Sequence, residues 1–193
     1  MKRILVAVLM IMVFSTTAGA EGMMAGPKAG FNMFKAYGDD VPDEAEWYYG
    51  GAFGAFLSFG VHEMIALQPE VVYSMKGWKV GDESLKLGYI DIPVLVKVML
   101  PTEGALDPSI FIGPSIGFLL SAKAEDVDVK DDFKSTDFGL VVGGGIDYQL
   151  SDTGALLFDV RYSMGLTEVI DADESVAVKN HGFQFQLGYG FKF

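Results

Sequence analysis

From Phe183 to Phe193 every second residue is aromatic or aliphatic: Phe183, Phe185, Leu187, Tyr189, Phe191 and Phe193 alternate with Gln184, Gln186, Gly188, Gly190 and Lys192. A period of two sends successive side chains to opposite faces of a strand. One face here is bulky and apolar and the other small or polar, so the strand must separate two different media. Chain termini are ordinarily frayed and polar. An amphipathic strand that runs to Phe193 therefore needs an apolar phase to face, either a protein core or lipid.

The alternation recurs along the chain. In ALLFDVRYSMGL, Leu156, Phe158, Val160, Tyr162, Met164 and Leu166 share one face, and Leu157, Asp159, Arg161, Ser163 and Gly165 share the other. The pattern predicts strands at residues 25–35, 48–59, 63–75, 84–99, 108–121, 137–150, 155–166 and 181–193. Most run to about 11 residues or more, beyond the usual length of a soluble strand and matched to the tilted span that crosses a bilayer. Short or turn-rich connections follow the second, fourth and sixth strands: Gly60-Val61-His62, LPTEGALDP and Asp152-Thr153-Gly154, the last with Gly154 suited to a left-handed hairpin position. Longer, acidic ones follow the first, third, fifth and seventh: AYGDDVPDEAEW, GWKVGDE, AKAEDVDVKDDFKST and TEVIDADESVAVKN. Short turns at one end and long loops at the other are the pattern of a membrane barrel.

The N-terminus is a separate element. Lys2 and Arg3 precede an unbroken apolar run from Ile4 to Phe14, and Ala18-Gly19-Ala20 before Glu21 has the small-x-small form of a signal-peptidase site. The run falls short of the roughly 20 residues of a spanning helix. Residues 1–20 are thus expected to be a cleaved signal peptide and residues 21–193 an outer-membrane β-barrel domain. Without Lys2 and Arg3 the 14 basic residues become 12 against 26 acidic ones, a net charge of −14. Phosphates would be repelled, so nucleic acid is excluded as a partner. The absence of cysteine excludes thiol catalysis, cysteine metal sites and dependence on disulfides.

Two barrels compete for this pattern. A soluble eight-stranded barrel points its apolar face inward. The apolar face here holds Ile90, Ile92, Val94, Val96 and Val98, then Phe138, Leu140, Val142, Ile146 and Tyr148, and finally the aromatic row of the last strand. An eight-stranded interior is too narrow for so many large side chains. The opposite face, with Lys28, Asn32, Ser58, Gln68, Glu70, Ser74, Asp91, Lys97, Ser115, Asp147, Gln149, Asp159, Arg161, Gln184, Gln186 and Lys192, fits inside instead. The expected fold is all-β, an eight-stranded antiparallel transmembrane up-and-down β-barrel with lipid outside and a polar packed interior. Its last strand must close on its first, because lipid leaves no partner for an open edge.

Gln186, Gly188, Tyr189, Phe191 and Phe193 resemble the C-terminal signal read by the bacterial barrel-assembly machinery, which ends on aromatic residues. More broadly, LQPEVVYSMKGW, LGYIDIPVLVKVML, SIFIGPSIGFLL, DFGLVVGGGIDYQL and VRYSMGL resemble the porin-like outer-membrane β-barrel family of short single-domain proteins. The resemblance implies an outer-membrane location and brings no catalytic residues with it. Outer-membrane lipid and, during insertion, the assembly machinery are the partners it implies.

The residues that could carry chemistry are few. His62 falls in a turn at one end and His181 at the start of the last strand at the other, so they cannot share a metal; His181 with Ser175 is the one triad-like pair, without a visible orienting group. GLVVGGGID lacks the helix that a dinucleotide fingerprint requires, and its Gly143 and Gly145 read as lumen space for large neighbours. The loop acids Asp39, Asp40, Asp43, Glu44 and Glu46, then Glu125, Asp126, Asp128, Asp131 and Asp132, then Glu168, Asp171, Asp173 and Glu174 match no calcium consensus and read as a solvated surface. No catalytic group, cofactor or metal is expected.

The interior charges Glu70, Asp91, Lys97, Asp147, Asp159 and Arg161 are expected to form a lumen network. Glu70 and Asp91 should lie nearly opposite on one hairpin, with Arg161 or Lys97 as counter-charge. A structural plug of ion pairs is the expected arrangement, and an aqueous path is the competing one. The corresponding roles are a structural or surface-interacting membrane protein, then a narrow solute channel, then a lipid-modifying enzyme.

Overall fold

The computed structural model describes residues 22–39, 41–42, 44–100, 102–125, 127–171 and 177–193. The expected signal peptide at 1–20, together with Asp40, Asp43, Asp126, Asp173, Glu174 and Ser175, lies outside the described residues. Strands follow in the order β1 (Met23–Tyr37), β2 (Ala45–His62), β3 (Ile65–Val80), β4 (Glu83–Met99), β5 (Leu106–Ala124), β6 (Val127–Asp128), β7 (Thr136–Ser151), β8 (Gly154–Gly165) and β9 (Lys179–Lys192). All pair antiparallel with their neighbours; the short β6 lies outside the barrel wall and folds back onto the end of β5 as Lys123↔Asp128 and Ala124↔Val127. The remaining eight strands close: β1 pairs with β9 from Met24↔Lys192 to Tyr37↔Lys179, and β4 pairs with β5. The Phe193 N–H donates to the Met23 carbonyl at 2.8 Å, so pairing extends to that residue.

The expected eight-stranded antiparallel barrel is the fold observed, and the expected faces hold. Phe31, Phe53, Val71, Val96, Ile110, Ile112, Phe138, Val142, Phe158, Leu187 and Phe191 are exposed on the outer wall, while Lys28, Asn32, Gln68, Glu70, Asp91, Lys97, Asp147, Asp159, Arg161, Gln184 and Gln186 are buried inside. Alternation determines this distribution, since a one-residue slip of any strand would put its charges into the lipid-facing wall.

The ends of the strands differ from expectation. The 76–84 stretch is no loop: β3 and β4 stay paired to Val80↔Glu83 and turn on Gly81-Asp82, where Gly81 takes φ +61°, the glycine position of a tight hairpin. β2 likewise runs through Gly60 to His62 and turns at Glu63-Met64. Asp152-Thr153 alone makes the β7–β8 turn; Gly154 already belongs to β8, without the expected positive φ. After β6, a 3-10 turn at Lys130–Asp132 returns the chain towards the barrel, and Phe133 bridges Ile170. Strand pairing satisfies more backbone groups than a solvated loop would, so the register continues until a turn residue allows reversal.

Candidate functional site

Strand parity and register build the lumen in layers. At the end that carries the termini, Lys97 of β4 donates to both carboxylate oxygens of Asp147 of β7 at 2.9 and 2.8 Å. The middle layer joins three strands, β1, β3 and β8. Arg161 of β8 donates to Glu70 of β3 at 2.7 and 3.2 Å and to Asp159 at 2.8 Å. Lys28 of β1 bonds the same two carboxylates, with its ammonium 3.0 Å from Glu70 and in a close ion pair with Asp159. Gln68 adds a third donor to Glu70 at 2.7 Å. All four charged side chains are 0–1% exposed, so two cations and two anions neutralise each other across the full width of the lumen.

Two glycines make this layer possible. Gly143 lies across from both Phe111 and Arg161, and Gly145 lies across from Asp159. A Cβ on Gly143 would stand 2.7 Å from the Phe111 ring, which is packed 5.2 Å under the Arg161 guanidinium. One on Gly145 would collide with the Asp159 carboxylate. The expected role of these glycines as lumen space is thereby given specific neighbours.

Above the middle layer, Asn32 donates to Ser74 at 2.8 Å and to the Met75 carbonyl at 3.2 Å, and accepts from Gln184 at 3.3 Å. Next, Lys76 donates to Asp91 at 2.8 Å and lies 4.0 Å from Asp137, with its ammonium 4.6 Å from the Tyr89 ring centroid and 5.5 Å from that of Phe34. The cavity beside them leaves about 10 Å³ for the centre of a water molecule, room for about one. At the loop end the barrel is closed by apolar side chains. Leu87, Tyr89, Leu119 and Ala122 pack with Trp78, Val129 and Phe133, and Ala36, Val169 and Val178 pack with Val41, Trp78, Phe133 and Ile170. The Val169 N–H donates to the Val178 carbonyl at 2.8 Å, and that of Lys134 donates to the Val169 carbonyl at 2.9 Å, which joins the connections on either side of β7 and β8 into one cap.

All six charges assigned to the lumen from sequence are inside, but they form three groups rather than one. The hairpin register sets Asp91 against Val72 and not against Glu70, so the expected Glu70–Asp91 opposition does not occur. Asp91 takes Lys76, Glu70 takes Arg161 with Lys28, and Lys97 takes Asp147. Lys76 and Asp137 were not anticipated in this role. Lys76 sits in a stretch that reads as turn, whereas the parity of Asp137 with Asp147 was visible. Of the residues likened to an assembly signal, Gln186 and Gly188 are buried inside, and Phe191 and Phe193 are exposed on the outer wall. His181 is on the outer wall near the loop end, where its Nδ1 and the Tyr162 hydroxyl share a 2.7 Å hydrogen bond among the rings of Tyr37, Trp47 and Tyr162. Among the described residues no cluster of three or more His, Asp or Glu could hold a metal ion.

The described residues form a closed barrel with an apolar wall and an ion-paired interior, and the family described as outer membrane protein beta-barrel domain matches residues 20–171 of the same chain. The chain belongs to this family. Membership places the barrel in the outer membrane. Among solved structures, Neisserial surface protein A is 17% identical at a TM-score of 0.65, with 91% of this chain and 99% of that one covered. The outer membrane protein W of E. coli is 11% identical at 0.57, covering 92% and 100%. OprG of Pseudomonas aeruginosa is 14% identical at 0.54, covering 90% and 96%. At these identities the likeness is one of fold. No curated protein matches the chain.

Proposed function

We propose that this outer-membrane barrel is a non-conducting, non-enzymatic protein with a structural or surface-interaction role, exported on the segment read as a signal at residues 1–20 and oriented with its loop end outward. The observation that carries this reading is the Arg161–Glu70–Lys28–Asp159 layer, which spans the lumen with side chains 0–1% exposed. A solute path would need those charges solvated. The apolar cap of Trp78, Phe133 and Val169 gives the mouth a second closure. With the interior occupied, the surface left for interaction is the loop end and the outer wall. Conductance of the purified barrel in a planar bilayer tests the reading: a closed lumen gives no steady current, and reproducible channels would replace it with the narrow-pore alternative.

A further inference from the structure

On the outer wall at the loop end, the start of β7, the segment after β8 and the start of β9 enclose an open groove of about 370 Å³ lined by Lys134, Phe138, Leu166, Thr167, Glu168 and Lys179, with Thr136 at its side. Its floor is apolar: Phe138, in the lipid-facing row of β7, and Leu166, directly after β8, are 51% and 52% exposed. Its shape is fixed by hydrogen bonds of the backbone and of Thr167. The Leu166 N–H donates to the Phe138 carbonyl at 2.7 Å, and the Phe138 N–H donates to the Thr167 hydroxyl at 2.9 Å, which in turn donates to Asp137 at 3.0 Å.

The rim is cationic in a chain whose formal net charge is −12. Lys134 and Lys179 flank the floor, and on the neighbouring β1 Lys35 lies diagonally across from Lys179 through the registers Lys35↔His181 and Tyr37↔Lys179. Among the described residues Glu168 is the one carboxylate lining the groove, 3.6 Å from Lys134 in a pair about 40% exposed, so it only partly neutralises the rim. Lys179 and Lys35 make no ion pair within 4.0 Å among the described residues.

We infer that this groove binds a phosphorylated, acylated lipid of the leaflet that surrounds the loop end, with phosphate between Lys134 and Lys179 and an acyl chain over Phe138 and Leu166. The floor opens sideways into the bilayer, where a soluble peptide does not reach, and the cations lie just above the apolar band, at headgroup level. Charge complementarity supplies the headgroup, and the exposed floor supplies the chain. The inference rests on the barrel being embedded in lipid as proposed above. It is read without any current measurement, so a failed lipid assay leaves the closed lumen standing, and a conducting barrel leaves the lipid site standing.

The test uses the full barrel in phosphatidylcholine nanodiscs, with lipid A, dephosphorylated lipid A or inorganic phosphate added, and counts retained ligand by native mass spectrometry. Lipid A should be retained and the other two not. The Lys134→Ala/Lys179→Ala pair should weaken retention by about 25-fold, since each lysine near a membrane surface contributes a factor of about five. Lys79→Ala/Lys86→Ala, on the paired β3 and β4 across the barrel from β8, should leave it unchanged. Should the first pair fail to insert, Glu168→Gln decides, because removing the competing carboxylate should strengthen retention. Equal retention of the dephosphorylated lipid, retention of inorganic phosphate alone, indifference to the lysine pair, or unchanged or weaker retention by Glu168→Gln would each overturn the inference.

Discussion

Replacing Arg161 with alanine removes one of two cations from a sealed four-charge layer. The wild-type layer is neutral: Arg161 and Lys28 against Glu70 and Asp159. After Arg161→Ala, Glu70 and Asp159 share Lys28 alone, three short guanidinium bonds at 2.7, 2.8 and 3.2 Å vanish, and the Phe111 ring loses its cationic partner. Breaking a buried pair from one side costs about 3 to 5 kcal/mol. Lys28 already bonds both carboxylates, so the loss should fall at the lower end of that range. Urea unfolding of the barrel in detergent micelles or thin-lipid vesicles reads the change, with the heat-dependent electrophoretic shift as the control for folding. A second substitution, Glu70→Gln, restores neutrality with Lys28 against Asp159. The Arg161→Ala/Glu70→Gln protein should therefore recover part of the loss, a positive coupling in a double-mutant cycle. A loss below about 1 kcal/mol, the scale of a solvated pair, with no recovery in the double variant, would refute the sealed layer.

Three further outcomes are expected. A cysteine replacing Asp128, in exposed β6, should react with an impermeant thiol reagent on intact cells, and one replacing Asp152, in the β7–β8 turn, should not; the opposite pattern would invert the orientation. Replacing Phe193 with serine should lower outer-membrane insertion, measured as the heat-modifiable fraction over a range of expression levels, and equal insertion throughout would count against a C-terminal assembly signal. Gly143→Ala should destabilise the barrel by about 1 to 3 kcal/mol, as overpacking does, because the new methyl would meet the Phe111 ring and the Val160 carbonyl; an unchanged unfolding midpoint would show that the ring can give way.

Alternation made the outer wall legible from sequence, and with it the inward direction of each charge. Asp159 and Arg161, two apart on β8, could only point the same way. What parity could not supply was partnership. Lys28 and Asp159 are 131 residues apart in the chain, and their contact depends on the closing β1–β9 register and the shear of the barrel. A shift of two residues on one hairpin separates Glu70 from Asp91 and hands Asp91 to Lys76. The loop end was harder for a different reason. Acidic and glycine residues in GWKVGDE signal a loop, yet only Gly81-Asp82 turns. The apolar cap is drawn from Val41, Val129, Phe133, Val169 and Val178, single residues set among acids and without any period to mark them.

The closed lumen is the central claim, and single-channel recording across a planar bilayer tests it most directly. The unmodified barrel should show no steady conductance at any voltage the membrane withstands. Removing the cap alone, by Trp78→Ala with Phe133→Ala, should still give none, because the Arg161–Glu70–Lys28–Asp159 layer lies beneath it. Stable, reproducible currents in the unmodified protein, whose ion selectivity shifts in Arg161→Ala while the unfolding midpoint stays unchanged, would contradict the account and establish an aqueous path through the barrel.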